Sequence, residues 1–228
     1  MIYKYQKTDN ALPVNLKEVA RYAGAKTADG DLKRLIDDCV KELCAANAVD
    51  FAACYAFLPL KINGDTADFG DLKLKSKDLI KALSGADGGL IFACTIGIGI
   101  DRLIKKYSEI SPARSLVFQA LGAERIETYI DKFLSDIKSE RKIALRARFS
   151  PGYGDLSLET QRDIFALLNP QKTVGLTLND SLLMSPSKSV TAIAGIVNRA
   201  EESLKADCKE GDKKGCKTCR KADCAFRE

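Results

Sequence analysis

Between Asp31 and Ala48, the residues Leu32, Leu35, Ile36, Cys39, Val40 and Leu43 recur at three- and four-residue spacing. That period predicts an amphipathic helix with one buried stripe. Upstream, Asn15-Leu-Lys-Glu18 sets a side-chain acceptor three residues before a glutamate, a capping-box variant that opens a helix to about Ala23. Phe51 to Ile62 is dense in aromatic and aliphatic residues and predicts a strand. Asn63-Gly64-Asp65 is a hairpin-turn signal, with a returning strand through Phe69 to Leu74. A short helix is expected after Ser76, since Leu79, Ile80 and Leu83 share a face. Leu90 to Ile96 predicts a strand buried on both faces, followed by a turn at Gly97 and Gly99.

From Asp101 a short helix is expected to end near the Ser111-Pro112 break, and a long one to run from about Arg114 to Ala144. Ser157 is placed to cap another helix through Leu168. Two strand-like stretches, Gly175 to Leu178 and Ser189 to Val197, close the pattern. Helices and strands mix without a strict βαβ rhythm, which argues for an α+β fold. From about Glu201 the apolar period gives way to charge and cysteine. The expected division is therefore a domain over 1–200 and a cysteine-rich tail over 201–228.

The chain has 228 residues, 46% hydrophobic, with 36 basic and 31 acidic side chains and a net charge of +5. That balance is far from a basic nucleic-acid binder and leaves room for an anionic ligand. The N-terminus has no apolar stretch behind its charges, and Gly88 to Ile100 is too short and glycine-rich to span a bilayer. A cytoplasmic protein without membrane or nucleic-acid partners is the expectation. Histidine is absent, which excludes His-dependent triads, His-ligated metals and imidazole acid–base chemistry together. Cys39, Cys44, Cys54 and Cys94 sit among apolar neighbours and read as small buried hydrophobes.

Chemistry concentrates in Arg148-Phe-Ser-Pro151-Gly152-Tyr153-Gly154. A guanidinium can hold a carboxylate through two parallel hydrogen bonds. The proline stiffens the approach, the glycines let backbone amides come close to a ligand, and the tyrosine offers a ring face to an aromatic or a cation. Pro-Gly is also the commonest turn dipeptide, so these residues alone fit an exposed turn equally well.

Downstream stand Gln161-Arg-Asp-Ile-Phe-Ala-Leu-Leu168, Val174-Gly-Leu-Thr-Leu178 and Asp180-Ser-Leu-Leu-Met184-Ser-Pro186-Ser-Lys-Ser189-Val190, in that order. With Arg148-x-x-Pro-Gly-Tyr153, the ordered set resembles the activation domain of cobalamin-dependent methionine synthase over about Arg148 to Ile196. Thr95-Ile-Gly97 is similar to a stretch typical of its free-standing bacterial versions.

The resemblance implies a mainly antiparallel twisted sheet packed with helices. It further implies an activation subunit of a methyltransferase, inactive alone, that binds S-adenosylmethionine beside a cobalamin held by another domain. There, an electron donor reduces the cofactor, and the sulfonium methyl regenerates methylcobalamin for methionine biosynthesis. Carried over to this chain, Arg148 would bind the donor's carboxylate, and Pro151, Gly152 and Tyr153 would shape the wall around its adenosyl group. Glu127 would face its positive end, with Glu124 as the fallback. Gly154 stands where the family has proline, the family's later aromatic falls near Ala194, and Lys188 replaces a small residue and is placed to meet a corrinoid phosphate or acetamide. Methyl transfer to cobalt needs positioning and no proton shuttle, so a site without histidine is no handicap. The reading requires Arg148 to face a space large enough for a nucleoside.

The tail carries Cys208, Cys216, Cys219 and Cys224 among lysines and arginines, four thiolates that suit either a structural zinc or an iron–sulfur cluster. A polar tail with incidental thiols is the plainer alternative. A second functional reading follows: a metal-tailed adaptor or electron-transfer protein that keeps the fold without binding the donor.

Overall fold

Residues 1–7 and 12–197 are described by the computed structural model of the chain. In chain order the elements begin with β1 (Tyr3–Lys7), α1 (Leu16–Tyr22), α2 (Gly30–Ala45) and β2 (Phe51–Pro59). Next come β3 (Lys61–Asn63), β4 (Thr66–Asp68), β5 (Lys73–Lys75), α3 (Lys77–Ala82), β6 (Gly88–Thr95), α4 (Gly99–Ile110) and α5 (Pro112–Arg141). The remainder are β7 (Ala144–Leu145), α6 (Thr160–Leu168), α7 (Pro170–Val174), β8 (Thr177–Leu178), β9 (Met184–Ser185) and β10 (Ser189–Val197).

Five strands form one antiparallel sheet in the order β1-β2-β6-β10-β7, with β6 at its centre and buried along its whole length. Both of its faces are covered. Phe51, Tyr55, Phe92 and Ala194 point to one side, against α1, α2, α4 and the long α5. There Phe51 stacks on Tyr129 at 5.5 Å between ring centroids, and Phe92 meets Phe133 edge-on at 5.5 Å. The alternate residues Cys54, Ile91, Ala93 and Ile193 point to the other side, against Phe69, Leu79, Leu83, Ile164 and Leu168. This alternation of two buried faces follows from the two-residue period of a strand. The α+β class and the antiparallel sheet packed with one 30-residue helix agree with expectation.

Several boundaries differ from the sequence reading, each for a local reason. The stretch Phe51 to Ile62 divides after Pro59, whose missing N–H breaks the ladder. Between β4 and β5 the chain turns instead of running straight through Phe69 to Leu74. Phe69 N–H donates to the Leu72 carbonyl at 2.8 Å, with Gly70 at φ +91°. Pro170–Val174 forms a short helix that its five residues were too few to announce, and β8 pairs with β9, a two-residue strand that the sequence pattern does not mark. Asn15 does cap α1, accepting from Lys17 and Glu18 N–H groups, but the reciprocal half of the box is absent. Glu18 pairs with Arg21, while the Asn15 N–H donates to Glu124. Cys39, Cys54 and Cys94 are buried as expected; Cys44 is exposed, because it falls outside the α2 stripe. No helix among the described residues is long and apolar enough to cross a membrane.

Candidate functional site

The candidate loop begins where β7 leaves the sheet. Leu145 stands opposite Ile196, the Arg146 N–H donates to the Gly195 carbonyl at 2.8 Å, and register pairing resumes at Phe149 opposite Ile193. Three residues therefore separate the pairs on one strand and two on the other. This is a β-bulge, the device that re-aims side chains at strand edges. Arg146 lies over the α3 side and donates to the Ser84 carbonyl at 3.0 Å. Arg148 points the opposite way, toward α5.

On α5 it meets two carboxylates one turn apart. Arg148 Nη2 is ion-paired with Glu127 Oε2, and Nη1 donates to Asp131 Oδ1 at 3.0 Å. The three lie on one wall of a cleft of about 1110 Å³, with Ala123 and Ile126 of α5, Tyr22 of α1 and Val190 of β10. That volume lies just above the range of small-ligand sites, about 300–1,000 Å³. So Arg148 is engaged in an internal ion pair, yet the space beside it is large enough for a nucleoside. The Tyr22 hydroxyl has its pKa raised, first by burial and then by the Glu127 charge.

Pro151 and Tyr153 line the same cleft, and the Tyr153 side chain is 68% exposed at its rim. Gly152 and Gly154 do not line it; they shape the turn. The Gly152 N–H donates to the Leu156 carbonyl at 2.9 Å and the Tyr153 N–H to Ser150 at 3.2 Å, so these amides are used inside the loop and not offered to a ligand. Gly154 has φ +54°, and a Cβ there would stand 3.0 Å from Asp78 Cβ and 2.6 Å from its Oδ2. Beyond it, Asp155 anchors the loop to the start of α3, accepting the Ser76 hydroxyl and the N–H groups of Lys77 at 2.8 Å and Asp78 at 3.1 Å. These bonds, the Ser76 hydroxyl foremost, hold the Asp155 carboxyl below its ordinary range.

Lys188 lines the cleft nearer the start of α5. Its Nζ donates to Gln119 Oε1 at 2.6 Å, and its stem lies on Gly122, where a Cβ would come within 2.9 Å of Cε. Burial lowers its pKa, only partly offset by the Asp101 charge. From Gln119 to Asp131 is twelve residues, roughly 18 Å along the helix. The cleft thus has a lysine toward one end and an arginine with two carboxylates toward the other.

Glu124, the fallback acid, is not in the cleft. It is buried beneath the N-terminal end of α1, pairing with Arg125 at 2.6 Å and accepting from Asn15 N–H and Thr128 Oγ1, each at 2.9 Å. Arg125 in turn donates to the carbonyls of Leu12 and Pro13, so this pair fastens the N-terminal segment to α5. Ala194 is buried in the sheet facing the helices, with no ring at its position to reach the cleft. Asp131 and Tyr22 were not singled out from the sequence. Asp131 was accessible to it, since it stands four residues after Glu127 on a helix; Tyr22 comes from a separate element and gave no such signal. The tail residues Cys208, Cys216, Cys219 and Cys224 lie outside the described residues. Among the described residues no group of His, Cys, Asp and Glu is placed to hold a metal ion.

No protein-family model and no curated protein matches the chain. Among solved structures it is similar to the crystal structure of the MetH reactivation domain bound to AdoHcy, with a TM-score of 0.62 and 15% identity over 86% of this chain and 78% of that one. The chain therefore has the fold of the MetH reactivation domain, in line with the resemblance read in its motifs.

Proposed function

We propose that this chain binds S-adenosylmethionine in the cleft between α5 and the 146–153 loop and presents its methyl group to a cobalamin carried by a methionine synthase or related corrinoid methyltransferase. The observation that carries the reading is Arg148 on the wall of a cleft with room for a nucleoside, in a fold that a solved structure shows bound to AdoHcy. The residues present fit the donor: a guanidinium for its carboxylate, Glu127 and Asp131 for its cationic groups, and the exposed Tyr153 ring and Pro151 for its adenosyl part. The corrinoid would supply the electron-rich cobalt that takes the methyl group. This chain's own part is positioning. Arg148 fixes one end of the donor, the apolar floor of Ala123 and Ile126 keeps water from its middle, and Lys188 offers spare N–H donors to an anionic or carbonyl group of the docked cofactor. The electron donor is a further partner on this reading, and Cys208, Cys216, Cys219 and Cys224 are this chain's own ligands for a structural zinc or an iron–sulfur cluster.

Calorimetric titration with S-adenosylmethionine, with and without a cobalamin-binding partner, tests it. Saturable binding is expected, weakened about tenfold or more in Arg148→Ala, the scale of lost charge-assisted hydrogen bonds. Unchanged affinity in that variant, with an unchanged circular dichroism spectrum, would remove the loop from the site. A second reading, the metal-tailed adaptor or electron carrier, draws on the Arg148 ion pairs, since a fold without its ligand still needs partners for that guanidinium. One equivalent of zinc or iron with no thermal shift from the donor would favour it.

A further inference from the structure

Arg148 has two carboxylate partners on α5, and they are not equivalent. Glu127 is 40% exposed and its charge acts on the Tyr22 hydroxyl, whereas Asp131 is 75% exposed and lines the same cleft. Of the five N–H groups of the guanidinium, one is given to each of these acids, and a carboxylate that binds on the Nη1 side takes over the one that Asp131 holds. The one that leaves at least cost is Asp131, which is already mostly hydrated. Glu127 can stay on Nη2 and keep the guanidinium in place while Nη1 turns to the newcomer.

We infer that Asp131 is a specificity-determining residue that selects a zwitterionic amino-acid head over a simple carboxylate. This rests on the proposed binding of a sulfonium or thioether nucleoside in the cleft. Displaced from Nη1, Asp131 remains within the reach of one side chain of the carboxylate that displaced it. With Glu127 still on Nη2, a ligand carrying a carboxylate alone leaves three negative groups around one guanidinium, and its own carboxylate beside Asp131 is a like-charge contact. A ligand with an ammonium on the adjacent carbon gives Asp131 a new partner and restores the balance of charge. The acid that occupies Arg148 thus becomes the group that reads the ammonium. Neither composition nor the fold comparison assigns Asp131 any role; the assignment comes from its 3.0 Å contact with Arg148 and its exposure.

Four probes separate the possibilities in calorimetry on the full chain: S-adenosylmethionine, S-adenosylhomocysteine, its deaminated analogue, and methylthioadenosine, which lacks the whole head group. The unaltered protein should bind S-adenosylhomocysteine about tenfold or more tighter than the deaminated analogue. In Asp131→Asn that ratio should fall to about threefold or less, with methylthioadenosine binding unchanged. Asparagine at an exposed helix position preserves the fold, and a melting curve checks it. A ratio that persists in Asp131→Asn overturns the inference while leaving the nucleoside site standing. If none of the four probes binds the unaltered protein, the proposed function fails and the inference with it.

Discussion

Arg146 and Arg148 stand two positions apart yet reach opposite faces of the sheet. Arg146 donates to Ser84 on the α3 side, and Arg148 pairs with Glu127 and Asp131 on the α5 side. In an unbroken strand, residues two apart share a face. The one extra residue between the Leu145–Ile196 and Phe149–Ile193 pairs removes that constraint, so a single backbone irregularity creates the charged wall of the cleft.

The buried Glu124–Arg125 pair of α5 serves stability and not the site. Glu124→Ala leaves the Arg125 guanidinium buried without its carboxylate and frees the Asn15 N–H. Urea unfolding should show a loss of about 3–5 kcal/mol, the range for breaking a buried ion pair by removing one partner. Calorimetry below the melting range should show ligand affinity unchanged. A fall in affinity with the fold intact would return Glu124 to the site.

Gly154 holds φ +54° against Asp78. Gly154→Ala should destabilise by about 1–3 kcal/mol, because a Cβ in the left-handed region is strained and also meets the Asp78 side chain. Gly154→Pro restores the residue of the resembling family, and it should cost more, since the ring fixes φ near −65°. Denaturant midpoints of the three proteins decide this. A neutral Gly154→Pro would mean that the loop has a second backbone path.

The Asp155 carboxyl titrates below its ordinary value of 3.8 because the folded state gives it hydrogen bonds that the unfolded chain lacks. Its contribution is therefore fully present above that value and is lost as pH falls through the lower, folded one. Asp155→Asn should lower stability at neutral pH and flatten the loss of stability below about pH 4. Unfolding midpoints at several pH values below 5 measure the slope. An unchanged slope would show that the α3 anchor does not depend on the charge.

Lys188 has the opposite linkage. Burial disfavours its ammonium, so its folded pKa lies below 10.5 and the protonated form weakens the fold. That penalty is full below the folded pKa and fades as pH rises toward 10.5. Lys188→Met keeps the stem over Gly122, and its stability relative to the unaltered protein should fall as pH is raised from 8 to 10.5. A difference independent of pH would indicate that Gln119 fully compensates the charge.

The elements with long periods were legible in the chain. The stripe Leu32 to Leu43, the continuous apolar run of β6 and the long helix before Arg148 each announce themselves, because repeated burial of one face demands repeated apolar residues. The short pieces were not: β8 and β9 have two residues each, too few for a period, and the turn at Phe69 to Leu72 rests on a backbone hydrogen bond.

Within the site, the residue types and order of Arg148, Pro151 and Tyr153 were set by the sequence alone, as was the exclusion of imidazole chemistry by the lack of histidine. Which way Arg148 points, that Glu127 and not Glu124 shares its cleft, and that Asp131 joins them were decided only by the tertiary structure. The physical reason is that Glu124 and Glu127 are three residues apart on one helix and differ in the neighbours that other elements bring to each flank. The strand offset that aims Arg148 arises between two chains of backbone far apart in sequence, where no local pattern of residues records it.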